Sequence, residues 1–135
     1  MFNSRISDRK CLDFNWRIFH GLINTGNRLK AMGYSNGLCV ICGNAIENTE
    51  HLLVDCGKVN NLWKYIEQKL INYDPICGSF TRFNKIAGIL KEDQKFDEIN
   101  MILGIVRWEI WKSRCRSQYD NDMDKHNSLL KKCYF

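Results

Sequence analysis

Apolar positions along this chain recur mostly three and four residues apart, which predicts helices rather than strands. From Cys11, "CLDFNWRIFHGLINT" sets Leu12, Trp16, Phe19, Leu22 and Ile23 on one stripe, expected to be buried. Thr25 is placed to cap a second short helix, "GNRLKAMGY", and Gly33 to end it in the left-handed region. "LCVICGNA" reads as a tight turn with short strand-like flanks. Asn48 or Thr49 caps a helix beginning near Glu50. A further helix follows Gly57, with Val59, Trp63, Ile66 and Leu70 on one face, and Leu62, Trp63 and Ile66 expected to close the core. "DPICGS" breaks the pattern, because Pro75 disfavours helix at Asp74. Ser79 or Thr81 starts another helix running to Leu90, and "KEDQKFDE" reads as a polar connection. The longest helix is expected from about Asp97 to Tyr119, carrying Ile99, Ile102, Leu103, Val106, Trp108, Ile110 and Trp111. "HNSLLKKCYF" reads as a short terminal helix. The fold class is therefore mainly α, a small helical domain with one tight cysteine-bearing turn inserted between helices.

Composition fits that reading. The 135 residues are 44% hydrophobic and 26% charged, within the globular range, with one proline and 9 glycines. No internal repeat or low-complexity tract is evident. We expect one compact unit with three parts: basic helices at 1–36, the cysteine-bearing turn and its following helix at 37–72, and a helical segment at 73–135. No apolar run is long enough to span a bilayer, so no membrane partner is expected. "MFNSRISDRKC" opens polar and basic, with no apolar stretch behind it, as expected of a chain without an export signal. Seven cysteines are an odd number for a disulfide scaffold. The expectation is an intracellular protein, nuclear or cytoplasmic, with mostly reduced thiols.

Three of the seven cysteines sit beside a histidine in "LCVICGNAIENTEHLLVDC". The spacing is Cys39-x2-Cys42-x8-His51-x4-Cys56. Two cysteines separated by two residues can face one ion from a single turn, which Gly43 helps to close. Zn²⁺ accepts a tetrahedron of thiolates and imidazole. Four protein ligands leave no open position, so one structural zinc is expected. His51 and Cys56 are five apart, and a regular helix does not bring such positions onto one face. The helix is expected to end or loosen before Cys56. A thioredoxin-like use of the paired cysteines needs a β-α-β setting that the pattern lacks. Cys11, Cys77, Cys115 and Cys133 read as small buried hydrophobes. His20 and His126, with no cysteine nearby, read as packed or solvated.

With these four residues placed, the surrounding segments can be compared as a set. "WRIFHGLINTGNRLKAMG", the four ligands, "EHLLVDC" and Trp63 resemble the zinc-binding region at the C-terminal end of non-LTR (LINE-type) retrotransposon reverse transcriptases. The likeness is good over roughly 14–70 and looser over 99–119, where "WEIWKSRCR" resembles a family pattern. It implies a CCHC zinc knuckle and, by analogy, binding of RNA or DNA. It does not imply catalysis. The chain has no room for a polymerase, and the acidic "YDNDMD" at 119–124 reads as a solvated helix terminus rather than a two-metal site. No enzyme activity is expected.

Charge then locates the candidate contacts. The net charge is +5, made of +4 over 1–36, −2 over 37–74 and +3 over 75–135. Glu47, Glu50 and Asp55 surround a zinc cluster that is itself formally −1, a poor platform for phosphate. Candidate nucleic-acid contacts are instead Arg17, Arg28 and Lys30, with Arg5, Arg9 and Lys10 on a flexible arm, and Arg107, Lys112, Arg114 and Arg116 on the longest helix. Trp108 and Trp111 either stack on bases or pack in the core, the second being the commoner use. A zinc-stapled protein-interaction module, such as a truncated or co-opted retroelement fragment, is the alternative. The exposed apolar faces of a severed domain, and self-association through them, would accompany it.

Overall fold

The structure, a computed structural model, describes residues 5–90 and 93–121. Five α-helices occur among them: α1 (Arg5–Phe19), α2 (Gly26–Ala31), α3 (Gly57–Leu70), α4 (Arg82–Ala87) and α5 (Gln94–Asn121). A π-turn, His51–Asp55, precedes α3, and a 3₁₀ turn, Pro75–Gly78, follows it. The described residues form no strand, only an isolated antiparallel bridge between Leu38 and Ile46 that closes the cysteine-bearing turn. The fold is mainly helical, as the residue pattern predicts, and no described helix is long and apolar enough to cross a membrane. "HNSLLKKCYF", with His126 and Cys133, and the acidic residues beyond Asn121 lie outside the described residues.

The helix boundaries follow local chemistry. The Thr25 side chain accepts from Arg28 N, starting α2. Gly33, at φ 83°, ends it: Gly33 N donates to Lys30 O and Tyr34 N to Leu29 O, a Schellman closure. Asp74 caps the 3₁₀ turn at Ile76 N. Thr81 and Asn84 cap α4 reciprocally, each side chain accepting from the other's backbone N–H. This helix stops at Ala87 rather than Leu90, because the backbone turns at Gly88 and Asn100 of α5 takes over the hydrogen bonds of Ile89. The polar stretch expected to be a connection is already helical from Gln94.

At about 1.5 Å per residue, the 28 residues of α5 extend roughly 42 Å. This helix is the spine of the molecule. Phe14 of α1 sits between Trp108 and Trp111, with ring centroids 5.4 and 5.5 Å away. Both tryptophans are buried, so they serve the core and are closed to bases. Trp63 of α3 is also fully buried, and its Nε1 donates to Leu53 O at 2.6 Å, tying α3 to the π-turn.

Two expectations are corrected here. The buried face of α1 is Phe14 and Ile18, with Cys11 and Asn15 partly covered, while Leu12, Trp16 and Phe19 face solvent. Only Ile23 of the expected stripe is in the core. Asn15 decides the orientation, because its Nδ2 donates to Gly104 O and its Oδ1 accepts from Arg107 Nε at 2.7 Å. Polar Asn15 therefore faces α5 with its hydrogen bonds met, and the apolar stripe is turned outward. The second correction concerns the basic arm. Residues from Arg5 onward are helical, so Arg9 and Lys10 stand on the first turns of α1 and not on a loose arm.

Candidate metal centre

The four predicted ligands converge. One donor atom from each of Cys39, Cys42, His51 and Cys56 can be chosen so that all lie within 4.8 Å of one another. A tetrahedral zinc with Zn–S near 2.3 Å has donor–donor edges of about 3.8 Å, and Cys42 Sγ lies 3.4 Å from His51 Nε2. The donor set and its spacing fit zinc. Cys39 and Cys56 are buried, whereas Cys42 and His51 are partly exposed, so the cluster sits at the edge of the core.

Each half of the site is built by a distinct local device. Cys39 and Cys42 lie on a turn that Gly43 closes at φ 72°, with Gly43 N donating to Cys39 O at 2.7 Å and Cys39 N to Ala45 O at 2.7 Å. The other half is the π-turn. Asn48 Oδ1 accepts from His51 N at 2.7 Å and starts the turn. Cys56 N donates to His51 O at 2.9 Å, an i→i+5 bond. The wider coil of a π-turn brings positions five apart toward one side, where an α-helix would separate them. The helix loosens as the spacing requires, and it does so while keeping its hydrogen bonds.

Burial and hydrogen bonding set the thiol acidities apart. Desolvation pushes Cys39 up to about 12, while the backbone N–H of Asn44 draws Cys42 down to about 7. Without metal, Cys39 holds its proton at neutral pH and binding must displace it. The metal-free site thus binds more protons than the loaded one, and affinity rises with pH. Zinc competition against a chelator at pH 6 and pH 8 is expected to give tighter binding at pH 8; equal affinities would contradict this.

The acidic surround is not a free negative patch. Glu47 is fully buried, and its carboxylate receives Arg114 Nη2 at 2.8 Å and Nε at 3.0 Å, together with Gly26 N at 2.7 Å. Its backbone also pairs with Gly37 and Asn27. Glu50 and Asp55 are both held by Arg82 of α4, at 2.6 and 2.7 Å. All three carboxylates flanking the ligands are neutralised by the chain's own arginines. Glu47 went unassigned as a structural residue because its partner is 67 positions away in sequence. The exposed sequence context offered no sign of it.

The candidate basic residues are placed very differently from one another. Arg107 and Arg114 share a face of α5, but that face is interior. Arg114 is 1% exposed, held by Glu47 and lying 5.1 Å from the Trp111 ring. Arg107 is 6% exposed and donates to Asn15 Oδ1 and Lys85 O; desolvation lowers it to about 10. Neither guanidinium reaches a phosphate. Lys112 is bonded to Glu109 at 2.7 Å over the Trp108 ring. Arg17 pairs with Asp13, and Arg28 donates to Gly21 O. Lys30 and Arg116 are exposed and make no ion pair among the described residues. Leu62 is at the surface, not in the core. Cys77 and Cys115 are buried and Cys11 partly so, in keeping with packing roles. His20 lies exposed against the Trp16 ring.

No solved structure and no curated protein matches the chain. Residues 1–63, a little under half of it, match the family described as zinc-binding in reverse transcriptase. That match ends just past the last of the four cluster residues, and with their convergence it supports a zinc-binding module.

Proposed function

We propose that this chain is a zinc-stabilised module that binds RNA or DNA. In this reading it is akin to the zinc-binding region of a non-LTR (LINE-type) retrotransposon reverse transcriptase and carries no polymerase activity of its own. The observation that carries the reading is the coincidence of the family match with four convergent protein ligands. Four protein donors around one ion leave no place for substrate, which supports a structural zinc rather than a catalytic one. The charge distribution adds support. Internal pairing consumes the acidic groups around the cluster, and cations such as Arg9, Lys10, Lys30, Lys58, Lys64 and Arg116 have no ion pair among the described residues.

The test is anisotropy of labelled single-stranded RNA and duplex DNA against zinc-loaded protein across a salt series. Binding through several phosphates weakens steeply with salt, by a log–log slope of about 0.9 per contact on duplex DNA. Absence of binding at low salt, from folded zinc-loaded protein, would sink the reading. One observation favours a second reading, a protein-interaction module: Leu12, Trp16 and Phe19 form an exposed apolar stripe along α1, 70%, 55% and 69% accessible.

A further inference from the structure

The outer face of α3 and the groove beside it combine features that no other surface of the described residues brings together. Lys58, Leu62, Tyr65 and Lys69 follow the i, i+4, i+7, i+11 pattern and share one helix face. All four are exposed. The Lys69 ammonium stands 5.4 Å from the Tyr65 ring centroid. The one acidic residue of α3, Glu67, is turned away and paired with Lys85 of α4 at 3.4 Å.

This face runs into an open groove of about 650 Å³ between the cysteine-bearing turn, the start of α3 and the second half of α5. Val40, Ile41, Leu62 and Ile110 provide apolar lining, and Ser113 and Arg116 line the α5 side. Lys58 also borders it. Its single acidic lining residue, Glu109, is neutralised by Lys112 at 2.7 Å. Lys58, Lys69 and Arg116 form no ion pair among the described residues. The surface is thus a line of uncompensated cations beside an aromatic ring and an apolar slot. Single-stranded nucleic acid has the matching chemistry: a polyanionic backbone with flat apolar bases. The stripe on α1 matches less fully: Arg9 stands at one end of it, but its nearby Asp13 and Arg17 cancel each other.

We propose that a single strand lies along α3, with phosphates against Lys58, Lys69 and Arg116, one base in the groove and Tyr65 as a stacking surface. The proposal rests on the nucleic-acid reading above and names its site. It moves the contacts away from Arg107 and Arg114, and keeps only Arg116 of the α5 cluster.

The experiment uses the full zinc-loaded chain and labelled single-stranded oligonucleotides, both RNA and DNA, over a salt series. Lys58→Gln with Arg116→Gln removes two groove cations. Arg82→Gln with Lys95→Gln removes two exposed cations away from the groove, both already paired with carboxylates, and serves as the matched control. All four positions are exposed, and thermal melts check that each variant is folded. The groove pair is expected to lower the salt slope by about 1.4, at roughly 0.7 per contact for single strands. The Arg82 and Lys95 pair should leave it unchanged. Tyr65→Ala should weaken binding by roughly tenfold or more, since base stacking accounts for that much per aromatic ring. If wild-type protein binds with the same slope and affinity as the groove pair and Tyr65→Ala, the site is wrong although the nucleic-acid reading survives. If wild-type protein binds no strand at low salt, both fall.

Discussion

Chelating the metal from zinc-loaded protein is expected to abolish its cooperative thermal transition and most of its helical circular dichroism. Cys39 and Cys56 are buried at the junction where the cysteine-bearing turn, the π-turn and α3 meet. Leu52, Leu53 and Trp63 pack immediately behind them and are fully buried. A structural zinc contributes an apparent 10–16 kcal/mol or so at neutral pH. A domain of this size has about 5–15 kcal/mol of stability in all. Losing the ion therefore removes as much as the fold has to lose. Cys56→Ser should act like the chelator, since the serine hydroxyl is a poor zinc ligand. Cys77→Ser serves as the control: it alters a buried thiol outside the cluster, and should leave a folded, metal-binding protein with a lowered midpoint. A metal-free protein that retains its wild-type melting curve would refute a structural role for the site.

Breaking the Glu47–Arg114 pair ranks second in expected effect. Both side chains are almost wholly inaccessible, at 0% and 2%. Truncating one partner leaves the other charged and unpaired in the core, at a cost of about 3–5 kcal/mol. Arg114→Leu and Glu47→Gln should each lower the urea midpoint accordingly. The double variant, Glu47→Gln with Arg114→Leu, should cost less than the two singles combined, because no charge is then stranded. Arg82→Ala removes two ion pairs, with Glu50 and Asp55, at the exposed surface and should leave stability near wild type. Strict additivity of Glu47 and Arg114 in the cycle would show that the two do not act as a unit. The same experiment separates structural from binding arginines: Arg114 variants are expected to alter stability, Arg116 variants only binding.

Sequence alone picked out four residues that the fold brings together, and showed surface chemistry poorly. The four ligands were legible because zinc geometry demands particular residue types at short spacings, all within 18 residues of chain. The need for the helix to loosen between His51 and Cys56 was legible for the same reason, although a continuous π-turn was not the only way to meet it. The caps at Thr25 and Thr81 and the Schellman glycine at Gly33 rest on local hydrogen bonds, so local sequence reveals them. The faces of α1 and α5 were misjudged because orientation depends on remote partners. Periodicity identifies a stripe on α1 but does not reveal that Asn15 will find Gly104 and Arg107 across the core. In α5, buried positions surround most of the helix between Leu103 and Cys115. An arginine there is as much an interior residue as its neighbours. The habit of reading arginine as surface fails where a carboxylate waits 67 residues upstream.

That separation also has a consequence for how the molecule is made. At roughly 5–20 residues per second, a ribosome finishes Arg114 about 3–13 s after Glu47. All four ligands have been synthesised well before then. The cysteine-bearing turn and the π-turn are therefore complete while Glu47 is still hydrated, and Glu47 gains its arginine only when α5 arrives. A translational pause between the two would lengthen the time that Glu47 spends hydrated and without Arg114.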